Sequence, residues 1–593
     1  MKRCVCGVIL AVMTLFSCAN TPSFSSSSSS RSTSVSHEIS TVRVAFAEAP
    51  HYYLPQYLYE VPKGGQLEVE VSLLGRFTLT GLDYADSSFE ILEGSKAKVL
   101  LRNIRYNTRV NLTFDLVQAQ YVYHLNGGGF LRGEGDSFRL PCSDRYHARP
   151  NLDIGVDRIY RPQHTLIGWE DEEGDLIGLG SRYTIPDKKE THFTAAWAAW
   201  NPAGDFSYTL RDEGAFVTGY FGPLPAKDLV IPATLGGEPV YGIRADFVAR
   251  MDFQTLVLPL SLRVIEAGAF RQCNIGKLYL YDDLSEVENA SFEQCSIQEF
   301  HLLAAHPSKG LGEDPNTQFA EDMDRLILRQ NKKKIVFFAG CSGSYSIASP
   351  MMVEQFGDEY EMCNMAVLGN TNASAMFEAM IPYLGPGDLF VNGPEMMSEY
   401  QILHNLEADN RLFFLFMGNY DLLSKVNINI IGNFWGAFDE YLDLAAKREE
   451  ETFDARCSSY NEYGDFILPR PNSSDDADYH IAGCFLPHWV NAESCGRLNA
   501  YYEAMQRQGA KTLFTFGPIN QNAVARLDPK GTDKKAMLEN VKRYLTVPTI
   551  ISSMDDSIFP GRYFFDTDYH MSEEGRDLRT ANLIRDIKAY LAS

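Results

Sequence analysis

The sequence predicts a multidomain chain: N-terminal all-β modules, a short solenoid of repeats and a C-terminal three-layer α/β domain. Three observations carry this expectation. The 593 residues exceed what one hydrophobic core organises and suggest about four domains. Apolar residues recur 22 positions apart between residues 205 and 302, the mark of stacked units. Beyond residue 331, short apolar runs alternate with longer helical segments, the pattern of a doubly wound sheet.

Composition narrows the function classes. Hydrophobic residues are 45% and charged residues 22% of the chain, an ordinary globular mix. The formal net charge of −24 argues against nucleic acid and against an anionic membrane surface as partners. It suits a soluble body in an extracytoplasmic space.

Residues 1–18 read as a targeting segment, with Lys2 and Arg3 followed by the apolar run Val5 to Phe16. That run is too short to span a bilayer as a helix. Its end, Leu15-Phe16-Ser17-Cys18, resembles a bacterial lipobox, which implies cleavage before Cys18 and a diacylglycerol on its sulfur. The expected location is the bacterial cell envelope, with lipid at Cys18 as the membrane anchor. Residues 19–40 carry the unbroken run Ser25 to Ser30 and read as a flexible tether.

Residues 41–118 contain alternating runs such as Leu67 to Leu73 and Val110 to Leu116, with a Lys63-Gly64-Gly65 turn. They predict a small β-sandwich. In residues 119–200, Tyr123 to Phe130, Leu166-Ile-Gly-Trp169, Tyr183 to Pro186 and Thr194-Ala-Ala-Trp197 resemble the internalin B-repeat, a β-grasp module of surface proteins. The resemblance implies a spacer with Trp169 and Trp197 in its core.

In residues 205–302, Leu256, Leu278 and Phe300 share one register, as do Ile265 and Val287, Phe270 and Phe292, and Cys273 and Cys295. Ile243 and Phe247 continue it backwards. These units resemble BspA-like leucine-rich repeats, which cannot close a core singly and therefore stack. So short an array serves as a spacer or cap, or as a horseshoe for a protein or host ligand. Residues 303–331 read as a linker.

Residues 332–593 carry the chemistry. Strands are expected at Ile335–Phe338, Cys363–Val367, Asp388–Val391 and Thr512–Phe516. Helices are expected at Ala373–Tyr383, Phe438–Arg448, Gly496–Gln508, Lys534–Tyr544 and Glu574–Leu591. The first strand runs into Gly340-Cys341-Ser342-Gly343-Ser344, which lifts Ser342 above the carboxyl edge of the sheet. A serine hydroxyl needs a base to become a nucleophile. His570 offers one, ahead of a helix capped by Ser572, with Asp566 and Asp568 four and two positions before it.

These residues resemble the SGNH (GDSL-like) hydrolase superfamily, whose fold is flavodoxin-like. Gly340-Cys341-Ser342 matches its nucleophile turn, Asn364 to Gly369 its second block, and Asp566 to His570 its last block. The tail YHMSEEGRDLRT is similar to extracytoplasmic members that handle acyl groups on envelope polymers. The resemblance implies a Ser342 acyl-enzyme, His570 as base, Asp566 or Asp568 as its orienting acid, and the Ser342 and Gly369 amides as oxyanion donors. The family Asn that completes the oxyanion hole is missing: Asn392 comes too early and Glu395 stands near that position. Gly418-Asn419-Tyr420-Asp421 imitates the motif in another place. The implied substrate is an acylated glycan or other ester, handled as an esterase or O-acyltransferase. The rival reading is a repeat-bearing adhesin or scaffold whose C-terminal domain is degenerate.

Eleven cysteines yield no metal-ligand spacing, and no glycine loop cradles a phosphate, so no metal or cofactor is expected. Cys273 and Cys295 read as packed thiols, and Cys484 with Cys495 as a pair able to close a loop. The insertion around 450–495, with Arg470, is expected to wall the cleft.

Overall fold

A computed structural model describes residues 40–593 outside 48–51, 55, 74–76, 93–95, 117–119, 142–146, 149–158, 185–189, 225–226, 306–317, 329–331, 368–371, 396–407, 448–459, 462 and 473–483. The targeting segment, Cys18 and the serine run lie outside the described residues. No helix among the described residues is long and apolar enough to cross a membrane.

The first β unit has two main sheets. Thr41–Phe46 lies between Leu58–Pro62 and Thr108–Val110, and Gly65–Leu73 pairs with Lys96–Ile104 in the second. Period-two alternation turns Val69, Val71, Val99 and Leu101 onto Val44, Phe46 and Val110 in one core. The next unit is a five-stranded sheet with Gln120–His124 and Glu190–Ala199 parallel at its centre. Trp169 is buried in its core. Trp197 is only half-buried, and its indole N–H donates to the Leu125 carbonyl at 2.8 Å.

The 22-residue register becomes physical contact. Leu256 pairs with Leu278, which pairs with Phe300, in the parallel ladder Asp228–Val230, Asp252–Val257, Asn274–Tyr281, Ser296–Leu303. Phe270 pairs with Phe292 on the opposite side of the coil, and their rings stack at 4.8 Å. Arg250, Gln272 and Gln294 each adopt positive φ at the same corner, linked outside by side-chain hydrogen bonds of 2.9 Å.

Two surfaces of this solenoid are partly covered. On the sheet, Val257, Tyr279, Tyr281 and Leu303 join one core with Leu166, Trp169 and Phe193, while the Lys277 and Glu299 side chains of the same ladder stay exposed. The last coil is closed by the C-terminal half of the chain. Asn429 accepts from Ile297 N at 2.8 Å and donates to Ile297 O at 2.6 Å, while Asp439 accepts from Val287 N at 2.9 Å. These side chains satisfy backbone groups that a further coil would pair. Asn429→Ala should therefore cost about 1–3 kcal/mol, by leaving two such groups unpaired. A urea midpoint equal to wild type would exclude this capping role.

Residues 333–591 form an all-parallel five-stranded sheet. Numbering its strands in chain order, the spatial order is 2-1-3-4-5: Tyr360–Asn364, Lys333–Phe338, Leu389–Asn392, Lys511–Phe514, Thr549–Ile550. Ser349–Phe356 and Glu573–Leu591 pack on one face through Ile335, Phe337, Val391, Leu583 and Ile587. Ala373–Met380, Ala492–Arg507 and Thr532–Tyr544 pack on the other through Val336, Phe338, Phe390, Tyr502 and Met537. The second strand lies earlier than the expected Cys363–Val367. It stops at Asn364, whose side chain takes the Ala366 amide at 3.2 Å.

The cysteine expectation needs one correction. Cys484 and Cys495 are both free and buried, the first with its thiol on the Ala523 carbonyl at 3.8 Å. Cys273 and Cys295 are free thiols in neighbouring coils.

Candidate functional site

The site forms where the first strand stops. Gly340 precedes the short helix Cys341–Ser346, which puts Ser342 in its first turn. Two glycines permit this. A Cβ at Gly340 would meet the Glu395 carboxyl at 2.8–2.9 Å, and one at Gly343 would meet Ala366 and Ala339 at 2.6 and 2.7 Å. Both positions demand glycine because neighbouring atoms leave no room for a side chain.

His570 reaches the helix from the far end of the chain. Phe564 bridges Met571, and the loop between them is pinned by His570 N donating to Thr567 Oγ1 at 2.8 Å. Ser572 then caps the C-terminal helix through Gly575 N at 3.2 Å. The His570 ring stacks on Tyr345, one turn beyond Ser342, with centroids 4.0 Å apart and planes at 10°. Phe466 covers Tyr345 at 4.5 Å. His570 Nδ1 lies 2.8 Å from Asp566 Oδ1. Its Nε2 is buried and has no hydrogen-bond partner, and neither has Ser342 Oγ. An imidazole held at Nδ1 by a carboxylate with Nε2 free is the arrangement a general base needs.

Several expected site residues are placed differently. The acid on His570 is Asp566, which is exposed; Asp568 is buried, 1% exposed. Asn392 is level with Phe338 on the neighbouring strand, and its amide donates to Tyr502 Oη at 2.6 Å. The Ser342 amide is already engaged, donating to Glu395 Oε1 at 2.5 Å. Gly369 lies outside the described residues. Asp421 is a junction residue, accepting from Gly178 N at 3.1 Å. The Ser342 hydroxyl is fully buried rather than open to a cleft.

Glu395 is the sequence position that gains most from the geometry. It is 2% exposed, and burial pushes its carboxyl up, against the lowering pull of the Ser342 contacts and the His570 ring. Its side chain also lies 3.7 Å from Cys341 Sγ. The Ser342 hydroxyl borders the same carboxyl without making a bond of normal geometry. Tyr345 was the residue hardest to foresee, because a tyrosine inside a serine-glycine turn announces no partner. Burial pushes its phenol up to about 12.

A polar network lies beneath. Asp465 accepts from Ser349 N and Oγ at 2.7 and 2.6 Å and from Asn364 Nδ2 at 3.0 Å. Close by, burial pushes the Asp322 carboxyl up to about 7, although Arg325 and Gln318 pull it down. The folded state thus holds this proton more tightly than the unfolded chain does. Stability contributed here is present below about pH 4, is lost as pH rises towards 7, and is flat above. Asp322→Asn should flatten the Tm–pH curve over that window; an unchanged slope would assign it to other groups.

Among known families, residues 243–360 match the BspA type leucine rich repeat region, in six copies. The parallel ladder itself ends at Leu303, and the match runs on through the Gln318–Leu328 helix and the first strand of the parallel sheet to Tyr360, where the second strand begins. No curated protein matches the chain. The chain carries a BspA-type leucine-rich repeat region.

Proposed function

We propose that the C-terminal domain is an SGNH-type serine esterase or O-acyltransferase, and that the chain is an envelope lipoprotein anchored at Cys18. One observation carries the catalytic reading: a His570 ring oriented by Asp566, stacked one turn from Ser342, with Nε2 and Ser342 Oγ both buried and unpartnered. The 2-1-3-4-5 order of the parallel sheet supports it too.

In the proposed cycle His570 Nε2 takes the Ser342 proton as Oγ attacks an ester carbonyl. His570 then returns the proton to the departing alkoxide, leaving a Ser342 acyl ester. Water or a glycan hydroxyl, deprotonated by His570, takes the acyl group and frees Ser342. Glu395 stands close to where the family places its Asn donor. Burial pushes its carboxyl up, and a carboxyl that carries a proton donates a hydrogen bond to a developing oxyanion, whereas an ionised one repels it. Glu395→Gln, which keeps a donor, should retain most activity. Glu395→Ala should lose on the order of 10²–10³ in kcat, the usual effect of one missing oxyanion donor.

The direct test is covalent. A fluorophosphonate probe should label the folded chain at Ser342, located by peptide mass. Ser342→Ala should abolish labelling, and Ser344→Ala should keep it, because Ser344 Oγ is committed to the Ala366 carbonyl at 2.9 Å. A folded wild type that neither labels nor hydrolyses any aryl ester removes the enzyme reading. The chain would then act as a repeat-bearing scaffold. The closed fit of solenoid, β unit and α/β sheet suits that role equally well.

A further inference from the structure

The segment Tyr460–Asn472 is fastened at both ends to the site. Phe466 N donates to Ser344 O at 3.1 Å, and its ring lies on Tyr345. At the other end, Arg470 O accepts from Glu573 N at 3.1 Å, and Asn472 Oδ1 accepts from Ser572 Oγ at 2.5 Å. The Arg470 backbone is thus fixed between the nucleophile helix and the helix that follows His570.

Its side chain is the anomaly. Arg470 is 1% exposed, and Nε, Nη1 and Nη2 all lack a hydrogen-bond partner. The guanidinium carbon sits 5.1 Å from the Tyr345 centroid and 5.4 Å from that of Phe466. Ring faces hold a cation but offer no lone pair to its five N–H groups. The neighbouring Asp465 carboxylate is occupied by Ser349, Asn364 and Asn461. The other large buried arginine shows the contrast: Arg579 donates to Thr515 Oγ1 at 3.0 Å and Phe516 O at 2.8 Å. Burial lowers the Arg470 pKa to about 10, so it stays cationic at neutral pH. In a chain of net charge −24, an unpaired buried cation is a specific demand for an anion.

We propose that Arg470 is the anion-binding residue of the Ser342–His570 site, and that its guanidinium fork receives a carboxylate or phosphate on the substrate. The proposal rests on the serine reading for the identity of the ligand as substrate. A fork beside aromatic faces matches a two-oxygen anion in bidentate geometry. Tyr345 touches both the His570 ring and the Arg470 guanidinium, so the proposal places the anionic group one aromatic ring away from the base. An acidic glycan presents such a group.

The test measures binding apart from catalysis. The full chain and its Ser342→Ala variant are melted with galacturonate, glucose 6-phosphate or glucose at equal ionic strength. Both proteins should gain several degrees in Tm with one or both anions and none with glucose, since a ligand that binds only the folded state stabilises it. Galacturonate alone assigns a carboxylate, glucose 6-phosphate alone a phosphate, and both a general oxyanion site. Arg470→Gln should lose the shift. If that variant does not fold, Arg470→Lys keeps the charge without the fork and should lose at least half of it. A shift equal with glucose, a shift retained in a folded Arg470→Gln or undiminished in Arg470→Lys, or no shift with either anion overturns the proposal. In turnover, 4-acetoxybenzoate should exceed its methyl ester by about tenfold in kcat/KM, a ratio that falls to near one without Arg470. Anion-dependent Tm shifts without fluorophosphonate labelling would keep the anion site and remove the serine chemistry.

Discussion

Replacing His570 by Ala should lower kcat/KM for an aryl acetate by on the order of 10⁴, because nucleophile and base act as a unit. Asp566→Asn should lose about 10²–10⁴, since the amide presents the wrong partner to Nδ1 and frees the ring to adopt the unproductive tautomer. The hydrogen bond that motivates this is 2.8 Å long and lies on an exposed carboxylate. Asp568→Asn should change kcat/KM by less than about threefold once folding is matched, a ratio worth under about 1 kcal/mol. A larger loss for Asp568 than for Asp566 would reverse the assignment. Tyr345→Leu separates two effects. It removes the face on which His570 rests, so kcat should fall while KM for a small acetate stays near wild type.

The second large effect is on stability. Phe247, Phe270, Phe292 and Trp435 form a continuous column of rings, with spacings of 5.5, 4.8 and 4.3 Å. Phe270 is fully buried within it. Phe270→Ala should cost about 3–5 kcal/mol, the range for removing a packed aromatic side chain. A loss below about 1 kcal/mol would mean that the coil collapses around the gap. Trp435 comes from the C-terminal half of the chain yet ends the column, so Trp435→Ala should cost a similar amount. It should also split the unfolding transition, because it loosens the solenoid from the α/β sheet. A single transition with an unchanged midpoint would show that Asn429 and Asp439 suffice for the junction.

Much of the architecture was legible because it rests on periodicity. The 22-residue register of Leu256, Leu278 and Phe300 is a one-dimensional signal, and stacking turns it directly into neighbouring strands. The alternating run at 67–73 likewise converts into a strand face, whereas the run at 110–116 breaks at Asn111 into strands of two different sheets. The fifth strand, Thr549–Ile550, was invisible because two residues carry no period. The second strand shifted for a local reason, the Asn364 side chain competing for the next amide.

The site divides along the same line. Sequence alone singled out Ser342 and His570, because a strand-ending small-residue turn and a helix-capped histidine are local patterns. It left Asp566 and Asp568 open, since both are within reach along the chain. In the folded loop, with His570 N held by Thr567 Oγ1, the ring Nδ1 lies against Asp566. Tertiary structure alone brought Glu395 to the Ser342 amide and Asn392 to the Tyr502 hydroxyl. It also gathered His570 and the Phe466–Arg470 segment around Tyr345, from three stretches with no shared period. Periodicity is written into the order of residues. Convergence of distant side chains depends on how the strands and loops pack, and no local pattern encodes that.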